Sequence, residues 1–113
     1  AYHDFEGITL YADEGPRLLK SIGDKQAVIL RNHGLLSWGR TIAQAFNVLY
    51  LLERACQQQV VTLPLGPVIV PDESIQAKCA RDSLQFSPAY GAGQDVLDAM
   101  VRLVDRIDTS YRL

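Results

Sequence analysis

Cysteine is scarce: Cys56 and Cys79 are the only two in 113 residues. Two thiols are too few for a disulfide scaffold. The expectation is a reducing, cytoplasmic compartment, with both thiols free and mostly buried, in segments that read as helices. Histidine is equally scarce, at His3 and His33, and no His-Glu-x-x-His, Cys-x-x-Cys or glycine-rich phosphate loop occurs. Gly91-Ala92-Gly93 lacks a preceding buried strand, which excludes a dinucleotide fingerprint. No serine sits in a nucleophile elbow. By motif content, the chain holds no complete active site. Basic excess is also missing, since the formal net charge is −2. That disfavours a nucleic-acid partner and an anionic membrane partner alike. The longest uncharged stretch, Ala55–Pro71, is broken by three Gln and two internal Pro, so it is no transmembrane span. No basic-then-apolar leader opens the chain.

What is present is a globular composition, 48% apolar and 21% charged, in a length that allows one domain at most. Aromatics and charges alternate tightly over Ala1–Phe5, which reads as mid-domain sequence. A piece of a longer protein is therefore expected. Ile8, Leu10 and Tyr11 form a short strand-like run. Asp13, Glu14, Gly15 and Pro16 signal a helix start, with acidic residues at the positive end of the dipole and Pro in the first turn. Leu18, Leu19 and Ile22 give that helix an apolar face, and Gly23 suits its C-cap.

Ala27-Val28-Ile29-Leu30 is a continuous apolar run, the mark of a strand buried on both faces. Arg31-Asn32-His33-Gly34 follows, and both Asn and Gly accept positive φ cheaply. Leu35–Trp38 returns, so residues 26–39 read as a hairpin-like unit with His33 at its turn. Thr41-Ile42-Ala43-Gln44 is a capping box. Apolar residues recurring from Ile42 to Val60 predict a helix of about 20 residues, longer than the usual 10–14. Its apolar arc is broad enough to call for cover from a second substructure or subunit. Val68–Val70 has strand character, Asp72 is placed to cap a helix through Ser83, and 87–93 reads as loop. A final amphipathic helix starts at Gln94, with an Asp98–Arg102 pair one turn apart. Alternating helices and strands point to a layered α/β fold.

Few side chains are candidates for chemistry. His33, an imidazole on a tight turn after a buried strand, reads either as a metal ligand or as a residue hydrogen-bonding across its own turn. His3-Asp4 reads as a carboxylate-oriented histidine or as a surface strand. Glu6 and Glu53 are candidate bases, Glu53 also an ion-pair partner for Arg54. Trp38 reads as packing, and Tyr111 as a subunit contact or a frayed end.

The segment Ile29-Leu30-Arg31-Asn32-His33-Gly34-Leu35-Leu36-Ser37-Trp38-Gly39-Arg40-Thr41 resembles the Asn-His-Gly segment of the class II aldolase and adducin family. Ala45-Phe46 and Leu52–Cys56 resemble the helix that follows it there. Tyr2–Gly7 and Asp105–Tyr111 are similar to the adducin-like bacterial branch. The likeness is strong over residues 1–63 and weak over 64–113.

This resemblance implies a three-layer α/β/α domain of roughly twice this length, with residues 1–113 as the C-terminal portion and the N-terminal half absent. It implies a divalent metal, usually zinc, held by three histidines, of which His33 matches the third. The other two, the catalytic acid and the phosphate-binding loops lie upstream of the region seen here. Catalytic and substrate-binding residues are therefore not assigned. The implied activity is that of a lyase on a small sugar or hydroxy-carbonyl substrate, in which the metal stabilises an enediolate and an acid/base moves the proton. The piece itself is expected to be inactive. The resemblance also implies a homo-oligomer, commonly a tetramer. The alternative it carries is an adducin-like assembly module without catalysis.

Overall fold

The apolar run Ala27–Leu30 folds as the central strand of a three-stranded sheet. The structure, a computed structural model, describes residues 1–8, 12–83 and 93–112. Strand β1 (Tyr2–His3) pairs parallel with β2 (Ala27–Leu30), Tyr2 opposite Ile29 and His3 opposite Leu30. Strand β3 (Gly34–Ser37) returns antiparallel, Val28 opposite Leu36 and Leu30 opposite Gly34. The expected hairpin is therefore formed, with Arg31, Asn32 and His33 as its turn. The His33 N–H donates to the Leu30 carbonyl at 3.1 Å. Asn32 supplies the positive φ, at 56°, so Gly34 is left free to enter the strand.

Side chains alternate across a strand. The register thus puts His3, Val28, Leu30 and Leu36 on one face, and Tyr2, Ala27, Ile29, Leu35 and Ser37 on the other. Helix α1 (Glu14–Ile22) lies over the first face, where Ser21 Oγ meets His3 Nδ1 at 3.0 Å. Helix α2 (Ile42–Thr62) lies over the second, where the Ser37 hydroxyl donates to the Ala45 carbonyl at 2.8 Å. One helix on each face makes the α/β/α layering. Val28 is the fully buried centre of the core, but Ala27, Ile29 and Leu30 are only half-buried. Three strands and a nine-residue α1 are too little cover to bury all of β2 on both faces.

Local signals set the helix ends. Pro16 stands in the first turn of α1, and Gly23 closes it at φ 55°, its N–H donating to the Leu19 carbonyl. Leu18 and Ile22 face inward while Leu19 is exposed. At α2, Thr41 Oγ1 accepts from the Gln44 N–H at 3.1 Å. The Gln44 side chain reaches back to the Arg40 N–H at 2.9 Å, one residue short of the reciprocal bond of a full capping box.

The buried positions of α2 are Ala43 and Asn47, where α4 (Gln94–Asp105) packs. Gly93, at φ 82°, makes this approach possible: a Cβ there would lie 2.4 Å from Asn47 Cβ. Leu49, Leu51, Val60 and Val61 stay exposed, so part of the broad apolar arc is uncovered among the described residues.

Several expectations are corrected. Val68–Val70 forms no strand; a short 3-10 turn, Leu63–Leu65, ends α2, and Ile69 is 97% exposed. The segment pairs with none of the described strands. Helix α3 (Glu73–Asp82) forms as expected, but the Asp72 carboxylate makes no cap bond; the Asp72 carbonyl and Gln76 Nε2 hold the first turn instead. Cys56 is half-buried and Cys79 exposed, because α3 has no buried residue. Asp98 accepts from Gln94 Nε2 at 2.7 Å, and the Asp98–Arg102 pair is not among the described ion pairs. Tyr111 is not frayed, since its hydroxyl donates to Asp105 at 2.7 Å. The run through Leu10 and Tyr11, and the loop over residues 87–92, lie outside the described residues.

Candidate functional site

His33 stands exposed on the β2–β3 turn. Its backbone is fixed by the bond to Leu30 and by the neighbouring left-handed Asn32. The ring lies against Phe5, with centroids 6.4 Å apart and planes 20° from parallel. Phe5 belongs to the segment 4–8 that leaves β1 beside the turn. That segment, the turn and the start of α1 enclose a cleft of about 200 Å³ whose lining includes His3, Phe5, Glu6, Arg31 and His33.

Of the carboxylates lining this cleft, Glu6 and Asp4 are already engaged. Glu6 is gripped by the Arg17 fork, Nε standing 3.0 Å from Oε1 and 2.8 Å from Oε2. The same guanidinium donates from Nη1 to Asp13 at 2.9 Å. Hydrogen bonds from Arg17 hold both carboxyls below their ordinary values, and the two carboxylates raise Arg17 in turn. A carboxylate so stabilised as the anion is a poor general base. Asp4 points elsewhere, pairing with Arg31 at 3.4 Å.

His3 is 7% exposed. The carboxylate it faces is Glu6, at 3.7 Å from Nε2, and not the adjacent Asp4. Nε2 has no hydrogen-bond partner among the described residues. Ser21 Oγ and Nδ1 share a hydrogen bond at 3.0 Å whose direction follows the ring tautomer.

His3, Glu6 and His33 are thus brought to one cleft. Glu53 is not; it lies on α2, accepts from Gln57 Nε2 at 3.1 Å, and leaves Arg54 over the Tyr50 ring. Among the described residues, no three His, Cys, Asp or Glu side chains converge as a metal site. Phe5 and Arg17 were not legible as site residues. The one local signal was the Asp13–Arg17 spacing of one helical turn.

The fold is shared with a solved structure. The crystal structure of an aldolase II superfamily protein from Pseudomonas syringae superposes with a TM-score of 0.84 at 35% identity, covering 100% of this chain and 45% of that one. The chain belongs to the class II aldolase and adducin family, whose model, described as Class II Aldolase and Adducin N-terminal domain, matches residues 1–60. A Caulobacter vibrioides protein named for aldolase class 2 is 48% identical over 82% of this chain and 35% of its own length. Rattus norvegicus alpha-adducin is 33% identical over 95% of this chain and 16% of its own length. The chain thus spans less than half of the relatives it matches. No helix of the described residues is long and apolar enough to cross a membrane.

Proposed function

We propose that residues 1–113 are the C-terminal portion of a single class II aldolase-like domain. Its intact form is a metal-dependent lyase acting on a small sugar or hydroxy-carbonyl substrate. The observation that carries this reading is His33, held on a rigid turn at a cleft and inside the segment the family model matches. The chain's donor set fits one ligand of a divalent, zinc-type centre, with the remaining ligands and the acid/base supplied from outside these residues. Such an ion supplies Lewis-acid polarisation of a carbonyl or hydroxyl oxygen. This chain's own contribution is to hold the imidazole and to wall the cleft with Phe5 and Arg31. On the same reading the protein is a cytoplasmic homo-oligomer, a tetramer by family likeness, and the contacts between subunits would cover the exposed apolar residues of α2.

A second reading, an adducin-like assembly module without catalysis, is supported by the match to alpha-adducin over nearly the whole chain. Metal content separates the two. In the protein expressed from its complete reading frame, His33→Ala is expected to abolish stoichiometric divalent metal. Unchanged metal content in that variant overturns the ligand assignment. A wild-type protein that binds no metal supports the assembly module.

A further inference from the structure

We propose that Arg17 is a positioning residue for His33: its clamp on Glu6 holds the segment that presses Phe5 against the His33 imidazole. The inference rests on the reading of His33 as a ligand for its purpose, though not for its geometry. An exposed histidine on a turn samples several rotamers, and a ligand must hold one. Stacking on Phe5 supplies the restraint, because paired rings attract beyond the area they bury. Phe5, however, is itself half-exposed and lies outside β1. Its ring stays in place only if the segment after β1 is tied down.

The next residue provides the tie. Glu6 meets Arg17 through a fork of three contacts, from Nε to both carboxylate oxygens and from Nη2 to Oε2. The far side of the guanidinium is anchored on Asp13. An isolated surface ion pair contributes little, because two flexible side chains must be ordered together. Here the guanidinium is fixed at both ends, and its planar fork fixes direction as well as distance. One turn along α1, Ser21 holds His3, three residues before Glu6. Two side chains on one face of α1 therefore brace both ends of the stretch that carries Phe5.

The test uses histidine labelled at Cε1 in the complete protein, freed of metal with a chelator, with His33→Ala assigning the resonance. The His33 Cε1–H signal is expected upfield, displaced by the Phe5 ring, and Phe5→Leu should remove that displacement. Arg17→Gln, which touches neither ring, should remove most of it. Arg17→Lys, which keeps the charge and loses the fork, should fall between. Should Arg17→Gln fail to fold by circular dichroism, Glu6→Gln reads the same clamp from its other side. The proposal is overturned if Phe5→Leu leaves the signal unmoved. It is equally overturned if Phe5→Leu moves the signal and the clamp variants leave it at the wild-type position. Because the readout is metal-free, its failure is distinct from unchanged metal content in His33→Ala, which bears on the ligand reading alone.

Discussion

Gly93→Ala is the substitution whose cost the structure defines best. Gly93 has φ 82° and ψ 5°, a left-handed backbone that costs a residue with a Cβ about 1–2 kcal/mol. The new Cβ would also stand 2.4 Å from Asn47 Cβ and 2.8 Å from the Ala43 carbonyl oxygen. The second of these is backbone of α2 and cannot rotate away. Relieving the contact means moving α4 off α2, an overpacking strain of about 1–3 kcal/mol. The expected loss is about 2–5 kcal/mol, a large share of the roughly 5–15 kcal/mol that stabilises an ordinary domain. Urea unfolding followed by Trp38 fluorescence measures it, and the half-buried Trp38 next to β3 reports on the sheet. Asn47→Gly removes the nearest atom and isolates the steric part. Gly93→Ala should then cost less in that background, with a coupling of about 0.5–3 kcal/mol. A total loss below about 1 kcal/mol, or strict additivity of the two changes, would refute the close approach.

Gly15 makes the opposite case. It lies in α1 without positive φ, and nothing stands within 4 Å of the place a Cβ would take, so Gly15→Ala should stabilise by about 0.5–1 kcal/mol; a lowered urea midpoint contradicts this. Thr41→Ala removes the side-chain acceptor for the Gln44 N–H and should cost about 1 kcal/mol in the same assay, with no change meaning that solvent caps α2 equally well. Acid should weaken the fold through Glu6 and Asp13, both held below their ordinary values by Arg17. Their contribution is complete above the ordinary carboxylate values and is lost as pH falls through the lowered ones. Arg17→Gln should flatten that acid limb in circular dichroism, and an unchanged limb would show that the pair adds nothing.

The hairpin, the capped α2 and the helix that Gly23 ends were all legible, because each depends on contacts within a few residues. Asn32 and His33 are fixed by their own turn, so the candidate ligand could be singled out before any tertiary contact was known. Val68–Val70 shows the limit of such reading. Its β-branched pattern is real, yet a strand needs a partner, and residues 68–70 pair with none of the described strands.

By itself, then, the sequence determined the ends of α1 and α2, the hairpin of β2 and β3 with the turn that carries His33, and the family to which the chain belongs. Only the tertiary structure decided which carboxylate faces His3, that Arg17 grips Glu6 eleven residues away, that Phe5 stacks on His33, and that Asn47 is buried beneath Gly93. The physical reason is range. Backbone propensities, caps and turns act over three or four residues and are written locally. Partners across the sheet and between helices are chosen by register and packing, which depend on the folded chain as a whole.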